Sequence, residues 1–191
     1  MKTTGESGAL LRMVSSWGEL LLRALGGRIV SCDLPVLRSE PGQPFAWGAV
    51  LWSGEPAKAD RVALQRGMRY VRLVFSGRPE SPPPFQWPAA SPFTLRVWKA
   101  LTEIPAGGTL RYGELATRVR RPGGARAVGR ACGANPLPLF IPCHRVLPAD
   151  GSLGGFSSGL PWKRLLLDRE AQAIRRRRTS KRKKTGGRTA P

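Results

Sequence analysis

The feature that most constrains this chain is the break at Ser81-Pro82-Pro83-Pro84 and Trp87-Pro88. Proline fixes φ and has no amide proton, so neither a helix nor a central strand can run through such a stretch. Residues 77–91 therefore read as an extended linker. The chain divides there into an N-terminal lobe with its linker (1–90), a second domain (91–170) and a basic tail (171–191). With 191 residues there is room for one good core or two small ones.

Before the break, Leu10, Val14, Trp17, Leu21 and Leu25 recur at helical spacing and Gly26-Gly27 follows, which predicts an amphipathic helix over 8–26. Residues 28–56 are rich in Pro and Gly with short apolar runs, as expected of strands and turns. A second helix begins near Asp60, carries Leu64, Met68, Val71 and Phe75 on one stripe, and stops at Gly77. After the break, Ser91 caps a helix that Pro92 begins and that Phe93, Val97, Leu101 and Ile104 stripe. A short helix over 112–119, a turn at Arg121-Pro122-Gly123-Gly124 and a helix over 125–133 give a helix-turn-helix outline. From Arg175 the chain has almost no apolar residues and reads as a disordered tail able to touch phosphates without sequence choice.

Charge narrows the partner. The chain carries 32 Lys and Arg against 12 Asp and Glu, a net +20, and the tail's nine basic residues leave +11 on the rest. Such an excess points to a polyanion, with nucleic acid ahead of membrane. The longest apolar runs fall short of the roughly 18 residues that span a bilayer, so neither membrane insertion nor secretion is expected. Cys32, Cys132 and Cys143 are spaced neither as a disulfide framework nor as a zinc finger, and His144 is the only histidine. A reducing compartment is expected, and no metal is assigned.

Two segments carry chemistry. The helix over 125–133 is built from Ala125, Ala127, Gly129, Ala131 and Gly133, a slim surface that suits close helix packing or a minor groove about 6 Å wide. Arg126 and Arg130 flank it at helical spacing, which favours contact with DNA. Within residues 135–146 an apolar strand is expected to deliver Cys143 beside a base, His144, and a cation, Arg145. Only a few per cent of an ordinary thiol is ionised at neutral pH, so nucleophilic use requires such help. Neighbours on a strand point to opposite faces, so His144 reaches the thiol only through a turn or a bridging water.

Taken in order, Tyr112-Gly113-Glu114-Leu115-Ala116, Arg126-Ala127-Val128-Gly129-Arg130-Ala131, Asn135-Pro136, Ile141-Pro142-Cys143-His144-Arg145-Val146, Gly151 and Gly159-Leu160 to Glu170 resemble the C-terminal domain of O6-alkylguanine-DNA alkyltransferases. The likeness runs from Phe93 to Glu170, about 78 of the 191 residues. It implies an α+β (α/β) protein: a short N-terminal lobe, an abbreviated ribonuclease-H-like sheet with a helix, then a mostly helical, winged-helix-like domain with the helix-turn-helix and the reactive cysteine.

The resemblance also implies roles. Cys143 would take the alkyl group irreversibly from O6-alkylguanine, and O4-alkylthymine is a further candidate substrate. His144 would remove the thiol proton through a water, Glu170 would orient the imidazole, and Asn135 would brace the turn that presents the cysteine. Tyr112 would assist departure of the purine as a general acid. Ala125, Ala127, Arg126, Arg130 and Tyr112 would contact duplex DNA, Arg126 filling the space left by the flipped base. Val146, Ser157 and Phe156 would form the base pocket. No cofactor is needed, the protein would act as a monomer, and its place would be the cytoplasm, beside the nucleoid, or a nucleus. Phe156 and Arg111 depart from the family's usual tyrosine and serine or threonine. The zinc that some relatives hold in the N-terminal lobe is not expected, since His144 is the sole histidine. The competing readings are a non-catalytic lesion-binding protein, a Cys-His hydrolase and a nucleic-acid packaging protein.

Overall fold

In the computed structural model the chain is described over residues 8–78 and 80–185. The first seven residues of the N-terminal lobe, Pro79 in the linker and the last six of the tail lie outside the described residues. Four antiparallel strands open the fold: β1 (Ala9–Ser15), β2 (Gly18–Leu25), β3 (Arg28–Asp33) and β4 (Trp47–Ser53), in the order β3-β2-β1-β4. The helix expected over 8–26 is instead the β1–β2 hairpin. Leu11 and Met13 of β1 and Leu20, Leu22 and Ala24 of β2 alternate into the core, a period of two. Leu10, Val14, Trp17, Leu21 and Leu25, chosen at helical spacing, are all only partly buried. Gly26 and Gly27 do not end a helix. Both have positive φ, 58° and 76°, and form the two-residue turn between Leu25 and Arg28, which pair.

One face of the sheet is covered by α1 (Lys58–Phe75), which buries Leu64, Val71 and Phe75 as its stripe predicts and Val74 beside them, with Met68 packed partly against the same core. The Asp60 carboxylate accepts from the Gly27 amide at 2.6 Å and ties the helix start to the hairpin turn. The Pro-rich segment is extended and fastened to the edge of β3. Ile29 donates to the Pro84 carbonyl at 3.3 Å, and Gln86 donates to the Ile29 carbonyl at 2.8 Å. An exposed strand edge is thereby covered.

The second half opens with α2 (Pro92–Thr102), where Ser91 Oγ accepts from the Thr94 amide and Pro92 takes the first turn. The chain continues through β5 (Leu110–Arg111), α3 (Tyr112–Arg118) and α4 (Ala125–Gly133), with the helix boundaries of the expected helix-turn-helix. A single 3-10 turn (Cys143–Arg145) leads into β6 (Val146–Leu147), parallel to β5, and α5 (Leu160–Thr185) closes the fold. The disordered tail expected from residue 171 is corrected in part, because α5 continues through it to Thr185. Arg and Lys are good helix formers, and the packed first turns of α5 supply the nucleus that an isolated basic segment lacks.

The two halves share packing. Trp162 donates to the Pro35 carbonyl at 2.8 Å, and Leu37 donates to the Ser158 carbonyl at 2.8 Å. Phe45, Trp47, Phe75, Trp17 and Trp162 form one aromatic cluster across the seam. None of the described helices is long and apolar enough to cross a membrane.

Candidate active site

Residues 135–145 form a folded loop around one side chain. The Asn135 amide donates to the Ile141 carbonyl at 2.7 Å and to Cys143 Sγ at 3.3 Å, while its oxygen accepts from the Leu137 amide at 3.0 Å. The apolar strand expected to deliver Cys143 is therefore absent. Pro136, Pro138 and Pro142 offer no amide proton to a ladder, and turns close instead, with Ile141 donating to the Leu137 carbonyl at 2.8 Å. The 3-10 turn over Cys143–Arg145 removes the strand objection to His144 and brings three chemically active side chains into one turn.

Behind the thiol, Glu170 of α5 gathers three donors. His144 Nε2 lies 3.1 Å from Oε1, Arg145 Nη2 donates to the same oxygen at 2.7 Å, and the Gly107 amide donates to Oε2 at 2.7 Å. Burial alone would raise the Glu170 carboxyl, but the hydrogen bonds from His144 and Arg145, with their charges, outweigh it and hold the group at about 2. A carboxylate only accepts, so His144 Nε2 carries the proton. Burial lowers the imidazole below its usual range, with Glu170 opposing, so the ring is neutral near pH 7. The remaining nitrogen, Nδ1, then bears a lone pair, and this buried atom has no hydrogen-bond partner among the described residues.

Cys143 is 6% exposed, and burial pushes its thiol up against the opposing effects of the Asn135 amide and the Lys163 ammonium. The resting sulfur is therefore a thiol, and charge develops on it only with a base at hand. Its surface opens on a cavity of about 310 Å³ lined by Tyr112, Gly129, Cys132, Gly133, Phe156 and Ser157, among others. Burial raises the Tyr112 phenol to about 12, which keeps it a proton donor across the neutral range.

The structure thus brings Cys143, His144, Asn135 and Glu170 into one network and sets Tyr112, Phe156 and Ser157 around the same cavity. Val146 does not line it, its carbonyl being occupied by Lys163 Nζ at 2.7 Å. Arg126 and Arg130 are exposed on α4, with Ala125 and Ala127 half-buried beside them, outside the cavity. Arg145, read as a cation for the thiol, belongs to Glu170 and the Ile104 carbonyl instead. The cation that acts on Cys143 is Lys163, which the sequence reading passed over. Its signal was a lysine set between Trp162 and the run Leu165–Leu167. Cys132 of α4, also in the cavity wall, was read only as one of three scattered cysteines.

The second helix of a helix-turn-helix thus ends beside a buried thiol in the wall of a cavity. Residues 92–172 match the family model described as the DNA binding domain of 6-O-methylguanine DNA methyltransferase. A methylated-DNA–protein-cysteine methyltransferase of Methanosarcina barkeri is 44% identical over 112 residues, 59% of this chain and 71% of that protein. The Salmonella typhimurium protein of the same name is 49% identical over 84 residues, 44% of this chain and 49% of its own length. Among solved structures, Mycobacterium tuberculosis OGT in complex with DNA superposes with a TM-score of 0.67 at 32% identity, covering 84% of this chain and 92% of that one. The chain belongs to the methylated-DNA–protein-cysteine methyltransferase family. Its matched stretch spans about half the length of several of the curated relatives.

Proposed function

We propose that this protein repairs DNA by direct reversal, moving the alkyl group of O6-alkylguanine in a duplex onto Cys143, once per molecule. The observation that carries the reading is the cavity at the end of α4, where the Cys143 sulfur is braced by Asn135 and backed by the His144–Glu170 pair. The α4 face supports it. A Cβ at Gly133 would meet nothing within 4 Å, and one at Gly129 only Tyr112 at 3.9 Å, so the small residues there are not demanded by packing within the protein. A slim, open face flanked by Arg126 and Arg130 suits a minor groove.

The chemistry follows from the protonation states. A base inside a duplex cannot meet a protein sulfur, so the nucleotide leaves the stack at a cost of a few kcal/mol, with Arg126 entering the space. His144 Nδ1 accepts the thiol proton through one water, and Glu170 stabilises the imidazolium that forms. The sulfur attacks the alkyl carbon, an S–C bond forms, and the bond from carbon to O6 breaks. The electrons return to the purine, and Tyr112 supplies a proton or hydrogen bond to its ring nitrogen, so guanine departs neutral. Cys143 remains as a thioether, and no residue of the site cleaves it. Phe156 and Ser157 wall the base, and O4-alkylthymine is a second substrate to try. The free thiols suit a reducing compartment, the cytoplasm or a nucleus, and a monomer suffices for a reaction consumed one protein at a time.

Single-turnover incubation with duplex carrying labelled O6-methylguanine tests the proposal. The label is expected to reach the protein in a ratio approaching one to one and to stop there. Continued turnover identifies a hydrolase, and binding without transfer identifies a lesion-binding protein; either result overturns the reading.

A further inference from the structure

At the far end of the helix-turn-helix from Cys143 lies a second concavity, about 310 Å³, between the outer face of α2 and the C-terminal end of α3. Its polar walls are Arg96, Lys99, Glu103, Arg118 and Arg120. Arg96, Lys99 and Glu103 recur at i, i+3 and i+7, which places them on one face of α2. Glu103 is the only carboxylate of the wall, and Arg118 Nη2 already donates to it at 2.7 Å. Arg96, Lys99 and Arg120 make no ion pair among the described residues. Beside the groove, the Arg121 guanidinium lies 4.8 Å from the centroid of the Phe93 ring and that of Arg96 lies 5.9 Å from it. Like charges are therefore gathered around one hollow with a single acid to offset them.

Arg120 adds a second observation. It is the one non-glycine with positive φ among the described residues, at 60°. An arginine accepts that conformation at a cost that glycine or asparagine would largely escape. A strained cation in a hollow of cations is what an anionic ligand would reward, and no carboxylate among the described residues pairs with it.

The position fixes which anion. Tyr112 opens α3 and lines the Cys143 cavity, whereas Arg118 ends α3 and lines the groove. At about 1.5 Å per helical residue the two ends are about 9 Å apart. The first helix of a helix-turn-helix crosses the sugar-phosphate backbone, so a cationic groove at the end of α3 lies where backbone flanking the base would pass. We propose that the Arg96–Lys99–Arg120 groove is a second phosphodiester site, which holds the DNA backbone a few nucleotides from the base in the cavity. The proposal rests on the reading of the protein as a DNA-repair acceptor and sets the length of duplex it grips.

Two measurements of duplex binding test it without requiring alkyl transfer. In the first, affinity is followed against salt for the wild type and for the triple variant Arg96→Gln, Lys99→Gln, Arg120→Asn, with circular dichroism as the check on folding. Each phosphate contact contributes a slope of about −0.9 in log affinity against log salt. The variant's slope is expected to be shallower by about two to three. In the second, single neutral methylphosphonates are walked along both strands of a duplex with a fixed abasic centre. A short run of positions to one side of that centre is expected to weaken the wild type and leave the variant indifferent. An unchanged slope, or equal sensitivity of both proteins at every position, overturns the proposal and would leave the groove to an acidic protein surface. If the slope shifts as expected but Cys143 takes up no alkyl group, the phosphate site stands and the repair reading falls.

Discussion

At the scale of single residues, Glu170 decides the protonation of everything around the sulfur. Held ionised at about 2 by His144 and Arg145, it forces the proton onto His144 Nε2 and leaves Nδ1 as the acceptor. Burial moves the imidazole below its usual 6.5 and the thiol above its usual 9.0. The competent pair, neutral histidine with protonated cysteine, is therefore the resting state throughout that interval. Single-turnover transfer rates should stay level from pH 6.5 to 9.0, whereas a rise with the profile of an ordinary thiol would show that a free thiolate does the work. Glu170 also neutralises the buried Arg145. The variant Glu170→Ala should lose about 3–5 kcal/mol in urea unfolding, as expected when one member of a buried ion pair is removed, and a loss under 1 kcal/mol would contradict the network. Cys143 and His144 were legible from their motif. Lys163 was not, because its part depends on how α5 folds back on the loop over 154–157, a contact no local pattern encodes.

At the scale of elements, α4 joins thinness to exposure. Gly129 lowers helix stability by roughly 1 kcal/mol relative to alanine, and the methyl of Gly129→Ala would touch only Tyr112 at an ordinary 3.9 Å. The substitution should raise the free protein's stability toward that amount and weaken duplex binding about tenfold. Thermal melts and a binding titration check the two effects, and equal affinity for both proteins would show that the slim face serves the fold alone. The same helix shows why parts of the sequence were readable. Ser91-Pro92, the Arg121–Gly124 turn and Gly133 are local signals, and the boundaries of α3 and α4 followed from them. The β1–β2 hairpin was misread because residues 9–25 hold apolar side chains at both periods. The choice between them is made by pairing with β4 on one side and β3 on the other, which a window confined to residues 9–25 does not contain. The basic half of α5 was misread for the opposite reason, since its helix is inherited from the packed half before it.

At the scale of the whole molecule, the sheet-and-helix lobe packs against the base-pocket side through Leu37–Ser158 and Trp162–Pro35, while the helix-turn-helix is left open. Stability and chemistry meet in the buried network between them. In the unfolded chain His144 binds its proton near 6.5, and in the folded protein only at lower pH, so stability is full above 6.5 and declines as pH falls below it. Glu170 adds a further loss as pH drops from 4.5 toward about 2. The melting temperature should therefore fall on acidification from pH 6.5, and His144→Gln should flatten the upper part of that decline. The mechanism makes the sulfur in the cavity the acceptor. Peptide mapping by mass spectrometry after incubation with duplex containing O6-methylguanine tests it most directly. One methyl group on the peptide containing Cys143, with unmodified guanine recovered in the DNA and no uptake by Cys143→Ala, is the predicted result. A methyl group on Cys132 or Cys32, or full incubation that leaves Cys143 a free thiol, would contradict it.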